Sequence, residues 1–209
     1  GSLLHEIVET FAATYPEQLP ADAHGRLIAI GEEAFRRFAD APEVRAFWWP
    51  RFLLTAGHFI DWEQRRRSAL ARVAVEVYTG SRFPLADGHT LWLSGKADRV
   101  EITREPKLRI IDFKTGAPPS QAQVEKGFAP QLTLEAELAA RAGFEGAVGP
   151  TPVEAVLYMK LHHDPKAWTR DKPLAFDDGS LADVASRHLE RLLAHVEALR
   201  SRREAFVSR

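Results

Sequence analysis

The sequence predicts a mixed α/β fold: a mixed central sheet flanked by helices, with a helical section at the N-terminal end. Two observations carry this. Apolar residues recur at i, i+3 and i+4 as far as about residue 68, and from Arg72 onward they alternate in twos. Segments of helical period then return among and after the alternating ones, ending in a long amphipathic stretch. At 209 residues the chain is long enough for one substantial core.

Each element has its own signal. Leu3, Leu4, Ile7, Val8 and Phe11 predict a first helix with Ser2 as N-cap, closed by Pro16 and Pro20. Leu27, Ile28, Ile30, Ala34, Phe35 and Phe38 predict a second, ending before Ala41-Pro42. A third runs from about Glu43 to Ser68, and Pro50 inside it is expected to break or kink it. Val73, Val75 and Val77 alternate with Ala74, Glu76 and Tyr78, a strand pattern. Gly80 to Gly88 reads as a turn-rich loop. Thr90–Gly95 leads into a strand through Asp98, and Leu108–Lys114 forms the next after a turn at Arg104–Lys107. Ser120–Lys126 suggests a short helix, and Pro130–Ala142 a longer one stopped by Gly143. Val153, Ala155, Leu157 and Met159 suggest a further strand. Leu181, Ala185, His188, Leu192, Val196 and Leu199 form the stripe of a helix reaching about Phe206.

Composition narrows the function classes. The apolar fraction is 45%, the charged fraction 27% and the net charge -1, so no overall basic field advertises nucleic acid. The absence of cysteine excludes disulfides, thiolate zinc and an iron–sulfur cluster. There is no long apolar run and no signal-peptide pattern, so no membrane contact and a cytoplasmic location are expected. The chain opens on Gly1-Ser2 and holds a single methionine, Met159; it is expected to be a fragment of a longer polypeptide.

The chemistry concentrates in one hairpin. Asp98, Val100 and Ile102 share a face of one strand; Leu108, Ile110, Asp112 and Lys114 share a face of the next. Each acid sits on an apolar face, where an unpaired carboxylate is costly to desolvate. A hairpin centred near Glu105 sets Asp98 opposite Asp112, and like charges directly across a strand pair repel. A divalent cation with Lys114 alongside would resolve the repulsion. A buried salt bridge between Lys114 and one aspartate explains the spacing equally well.

Further residues add to this pattern. The acids lie in Gly95-x-x-Asp98-Arg99-Val100 and Ile110-Ile111-Asp112-Phe113-Lys114-Thr115-Gly116. Gln131-Leu132-x-Leu134 opens the later helix, and Gly1-Ser2-Leu3-Leu4-His5-Glu6 opens the chain. In this combination the sequence resembles the RecB-type branch of the PD-(D/E)xK nuclease superfamily, and looks most like the C-terminal nuclease domains of AddB proteins, subunits of helicase–nuclease complexes that process double-strand breaks. The resemblance implies a restriction-endonuclease-like fold, with residues 1–70 as the helical section carrying His5 and residues 71–209 as the nuclease core, in one structural domain overall. It implies metal binding by His5, Asp98, Asp112 and the Phe113 main-chain carbonyl, and catalytic roles for Asp98, Asp112, Lys114 and Gln131. Mg²⁺ suits this oxygen-rich set, and the histidine suits Mn²⁺ as well. The family's tyrosine four residues after the glutamine is Glu135 here. The implied activity is exonucleolytic hydrolysis of single-stranded DNA ends during double-strand break repair, beside a partner subunit of AddA type. A stand-alone or Cas4-like exonuclease, and a module of the same fold that binds without cutting, are the competing readings. No Gly-x-x-x-x-Gly-Lys loop occurs, which leaves ATP hydrolysis to another chain or segment.

Other residues are weighed singly. Glu76, on the strand before Asp98, could orient Lys114 or a metal-bound water, or simply face solvent. Arg65-Arg66-Arg67 reads as a solvated helix end, as do Arg200, Arg202 and Arg203. Trp48-Trp49 could stack on unpaired bases, with core packing the default. His162-His163-Asp164 is a poor metal cluster, because neighbouring residues of a strand point to opposite faces.

Overall fold

Four strands hydrogen-bond in chain order: β1 (Leu70–Pro84), β2 (Thr90–Thr103), β3 (Leu108–Lys114) and β4 (Val153–Lys160). The computed structural model describes residues 3–164, 166 and 172–201 of the chain. β1 and β3 each pair antiparallel with β2, and β4 pairs parallel with β3. A parallel neighbour needs a crossover, and α4 (Gln121–Glu125) and α5 (Gln131–Ala142) lie on it. Before the sheet come α1 (Leu3–Thr14), α2 (Ala23–Phe35) with a 3-10 turn at Arg36–Phe38, and α3 (Pro42–Arg67); α6 (Leu181–Arg200) follows it.

Both faces of the central strands are covered. Ile111, Phe113, Leu157 and Met159 point to one side and join a core with Ile7, Phe11, Leu27, Phe59 and Trp62 of α1, α2 and α3. Val100, Ile110, Val156 and Tyr158 join the opposite core with Leu132, Ala136 and Ala139 of α5. α6 packs beyond α5, where Leu138, Leu189 and Phe83 cluster with Leu91 and Leu93 of the hairpin arm. Inside α6, the stripe residue His188 is buried; its Nδ1 lies 2.7 Å from the Thr133 hydroxyl and its Nε2 3.1 Å from the Glu125 carbonyl. No helix among the described residues is long and apolar enough to cross a membrane.

Several boundaries differ from the sequence reading for physical reasons. α3 continues through Pro50 without a break. The missing donor would have served the Ala46 carbonyl, and Ala46 is exposed, so water can take that carbonyl. Gly80–Pro84 is strand, paired as far as Pro84↔Thr90, which shortens the expected loop to a tight connection. Gly80 permits this because the Trp92 indole covers it; a Cβ there would meet the ring at 2.7 Å. α4 begins at a reciprocal cap, with Ser120 accepting from the Gln123 amide and Gln123 accepting from the Ser120 amide. Ser2, Arg202, Arg203 and the stretch to Phe206 lie outside the described residues.

The largest correction concerns the three arginines at the end of α3. Arg66 and Arg67 are not a solvated terminus but part of a buried ionic network. Arg66 donates from Nε and Nη2 to Glu101 at 2.9 and 2.6 Å. Arg67 donates from Nε to Glu63 at 2.7 Å and from Nη1 to the Tyr15 and Pro16 carbonyls at 2.8 Å each. Arg99, fully buried, bridges both acids: it reaches Glu63 at 2.5 and 3.1 Å and Glu101 at 3.1 Å. Burial opposes the charge on Glu101, yet Arg99 and Arg66 hold its carboxyl below the usual range. The network ties the α1–α2 connection, α3 and β2 together on the face of β2 opposite Asp98.

Candidate active site

The site forms where the sheet forks. β2 and β3 pair from Ile102↔Leu108 to Arg99↔Ile111 and no further. Beyond that point β2 stays with β1, while β3 continues beside β4 as far as Lys114↔Lys160. In that register Asp98 and Asp112 are the next pair across the hairpin, as a centre at Glu105 requires. Instead of closing the ladder, the Phe113 amide donates to Asp98 Oδ2 at 2.9 Å. The amide and carbonyl of one strand residue face the same edge, so the Phe113 carbonyl also faces the fork.

Around the fork the structure brings together nearly every residue that the sequence singles out. Lys114 Nζ lies 2.6 Å from Asp112 Oδ2 and 5.6 Å from the centre of the Tyr158 ring. Gln131, at the start of α5, bonds Asp112 and donates from Nε2 to Glu135 Oε1 at 3.1 Å. His5, near the start of α1, meets Phe113 edge-on with ring centres 6.1 Å apart. Burial lowers the pKa of His5, while Asp98 and Asp112 pull the other way. A neutral imidazole is the form that binds a cation.

Glu76 stands across from Asp98 on β1, between the pairs Val75↔Arg99 and Val77↔Ala97. Its φ of 55° is in the left-handed region, disfavoured for any side-chain-bearing residue outside a turn. Lys96 pairs with it.

Two acids that the sequence reading did not assign also belong here. Glu9 lies one turn beyond His5 on α1, and its i, i+4 spacing was the signal that could have found it. Among the described residues, Glu9, Glu76 and Asp98 bring one carboxylate oxygen each within 4.8 Å of one another. His5 and Asp112 are outside that trio: the ligand set the sequence assigns, His5 with Asp98 and Asp112, is not gathered within the same distance. Glu135 is buried, its Cγ 3.2 Å from where a Cβ on Gly95 would stand. Burial pushes it up to about 8; Asp112 and Asp98 reinforce the shift and the Gln131 bond opposes it. Tyr158, opposite Asp112 on β4, is pushed up to about 12 by burial and by Asp112 and Glu135.

Charge is the unresolved quantity at this fork. Glu9, Glu76, Asp98, Asp112 and Glu135 face two lysines, Lys96 and Lys114. Asp112 is 4% exposed, and its Oδ2 meets the Lys114 ammonium at 2.6 Å. Burial first, then Asp98, raises the Asp112 pKa against the pull of Lys114. A carboxylate-rich donor set that gathers Glu9, Glu76 and Asp98 fits a divalent cation.

The model of the PD-(D/E)XK nuclease superfamily matches residues 1–206. The chain belongs to this superfamily. The four-stranded mixed sheet with flanking helices is accordingly its restriction-endonuclease-like fold. Similar curated proteins include uncharacterized proteins of Rickettsia bellii and Rickettsia typhi, each 26% identical, over 144 and 148 residues respectively, 69% of this chain. The chain spans 17% of the length of these relatives. A solved structure described as that of SSO0001 aligns over 92% of this chain and 73% of its own, at 16% identity and a TM-score of 0.35. Asp98, Asp112 and Lys114, which the sequence singles out, all lie at the fork.

Glu135 supplies a test of the site's electrostatics without any substrate. Its neutral form is favoured in the folded, metal-free protein, whereas the unfolded chain ionises near its ordinary value of 4.5. The stability this gives is complete below pH 4.5 and is lost as pH rises toward about 8. The expected slope approaches about 1.4 kcal/mol per pH unit in that window. Glu135→Gln should remove it. Urea denaturation in EDTA across pH 5 to 8 measures the slope, and equal slopes in both proteins would contradict the burial argument.

Proposed function

We propose that this chain is a metal-dependent deoxyribonuclease that hydrolyses phosphodiester bonds of single-stranded DNA ends. The observation that carries the reading is the convergence of Asp98, Asp112 and Lys114 at the fork. Asp98, Asp112, His5 and the Phe113 carbonyl would hold Mg²⁺, with Mn²⁺ accepted, and Glu76 and Glu9 extend the acidic set on the β1 side. The bound ion supplies Lewis-acid polarisation of a phosphate oxygen and a more acidic attacking water.

The chain's own groups do the rest. Lys114 is held by the Asp112 carboxylate on one side and the Tyr158 ring on the other. From there its ammonium orients the attacking water and offsets the negative charge that develops on the phosphoryl oxygens. Gln131 steadies Asp112 in its ionised form. Glu135, protonated at neutral pH by its burial, can donate a hydrogen bond where the family's tyrosine hydroxyl would.

The resemblance to AddB domains motivates a finer reading: an exonuclease component of a cytoplasmic helicase–nuclease that works beside an AddA-type subunit in double-strand break repair. The weak net charge is compatible with it, because a motor that feeds DNA to the site removes the need for a capture field.

The experiment is cleavage of end-labelled single-stranded DNA with Mg²⁺ or Mn²⁺, beside Asp112→Ala. Metal-dependent cutting by the wild-type chain and none by the variant is expected. A wild type that cuts nothing under these conditions would remove the proposal. Thermal melting adds a second readout. Mn²⁺ should raise the melting temperature of the wild type in proportion to log concentration, and not that of Asp112→Ala.

A further inference from the structure

A second feature lies immediately beside the fork. A groove of about 610 Å³ runs between α3 and the ends of β3 and β4. Its α3 wall presents Phe47, Trp48 and Arg51, and its far wall Thr115, His162 and His163. Phe47 and Trp48 are 52% and 50% exposed, unusual for rings of this size, while the neighbouring Trp49 packs against the helical core. The tandem tryptophans thus divide: the core takes one and the surface keeps the other.

The rings form a platform. Phe47 and Trp48 meet edge to face with centres 5.3 Å apart, and the Arg51 guanidinium lies 3.6 Å over the Phe47 ring. Across the groove, His162 and His163 stack at 4.2 Å with their planes 28° apart. They stack because β4 ends at Lys160, so the alternation expected of strand neighbours no longer applies to them. No carboxylate lines the groove among the described residues. An acid-free slot with flat π faces and an arginine matches a ligand with flat faces and an anionic backbone.

Position decides what that ligand is. Thr115 directly follows Lys114, and the Leu161 amide donates to the Lys114 carbonyl at 2.8 Å. Leu3 and Leu4, also on the groove wall, directly precede His5 on α1. The groove therefore adjoins the candidate cleavage site through three separate chain segments. We infer that this groove seats unpaired bases of the substrate strand, with Trp48 and Phe47 as stacking surfaces and Arg51 facing its backbone. The inference rests on the nuclease reading above and makes single-strandedness a requirement of binding, because bases inside a duplex do not offer their faces.

Binding in EDTA separates this inference from cleavage. Anisotropy would be recorded for a labelled oligothymidine, an abasic oligomer of equal length and a blunt duplex. The wild-type chain should prefer the oligothymidine to both others. Trp48→Ala should weaken oligothymidine binding by roughly 5- to 150-fold, the effect of losing one stacked base, and leave the abasic oligomer unaffected. Phe47→Ala should act in the same direction. Both side chains are half exposed, so unchanged melting curves will show that folding is intact. If Trp48→Ala keeps full affinity for the oligothymidine, the groove seats something else, such as a protein segment, and the inference fails. It fails too if the wild type does not distinguish oligothymidine from the abasic oligomer. Either result leaves the nuclease reading standing, since that reading is decided by metal-dependent cleavage.

Discussion

Lys114→Ala should lower the rate of DNA cleavage by about 10²–10³-fold, the usual loss when one well-placed transition-state donor is removed. Cation binding should survive. Lys114 is placed to contribute charge and orientation, while the donors that would hold the ion lie on Asp98, Asp112 and His5. The variant also takes away the ammonium 2.6 Å from Asp112 Oδ2, leaving that carboxylate more dependent on a cation. Mn²⁺ affinity by calorimetry should therefore be equal to or greater than that of the wild type. Full hydrolysis by the variant would deny Lys114 its role. Loss of Mn²⁺ binding would instead make it a structural support of the metal site.

Glu63→Ala should be the most destabilising single change outside the site, costing about 3–5 kcal/mol. Glu63 is fully buried and accepts from both Arg99 and Arg67. Its removal leaves two guanidinium groups in the protein interior with one acid, Glu101, which Arg66 already shares. The urea midpoint reads this directly, and a shift worth less than 1 kcal/mol would mean that water reaches the network. Replacing Glu63 and Arg99 together by apolar residues of similar volume should recover much of the loss, because an intact buried pair contributes less than a broken one costs.

The two halves of the molecule were legible to different degrees. The hairpin of Asp98 and Asp112 was open to reading because period-2 alternation and a polar turn at Arg104–Lys107 fix its register locally. That Asp98 and Asp112 lie opposite one another follows from the same arithmetic; that the ladder ends one pair before them does not. The buried network was not legible. Three consecutive arginines at a helix end look like solvent-facing residues, and the acids that neutralise Arg66 and Arg67 are at Glu101, on a strand that meets α3 only in three dimensions, and at Glu63, one turn back. Trp48 and Trp49 were ambiguous for a related reason: helix geometry separates neighbours by 100°, but the identity of the covered face depends on α2 and on Leu161, far along the chain. Glu135 was seen as a departure from a family tyrosine; its protonation depends on burial that composition does not reveal. The left-handed backbone of Glu76 has no sequence signal at all, since only glycine would have announced it.

The alternation of Asp98 and Arg99 along β2 also acts as a safeguard against misthreading. One residue faces the acidic fork and the other the ionic network beneath the sheet. If β2 slipped by a single residue against its neighbours, Asp98 would turn to the side of Glu63, while Arg99 and Glu101 would leave that side together and strip Glu63 of one counter-charge and Arg66 of its acid. Hydrophobic strands resist such a slip by a few misplaced methyl groups; here it would misplace whole charges on both faces at once. Inserting or deleting one residue within β2 is therefore forbidden by electrostatics. The turn at Arg104–Lys107, outside that alternation, is where the chain can change length without disturbing either face.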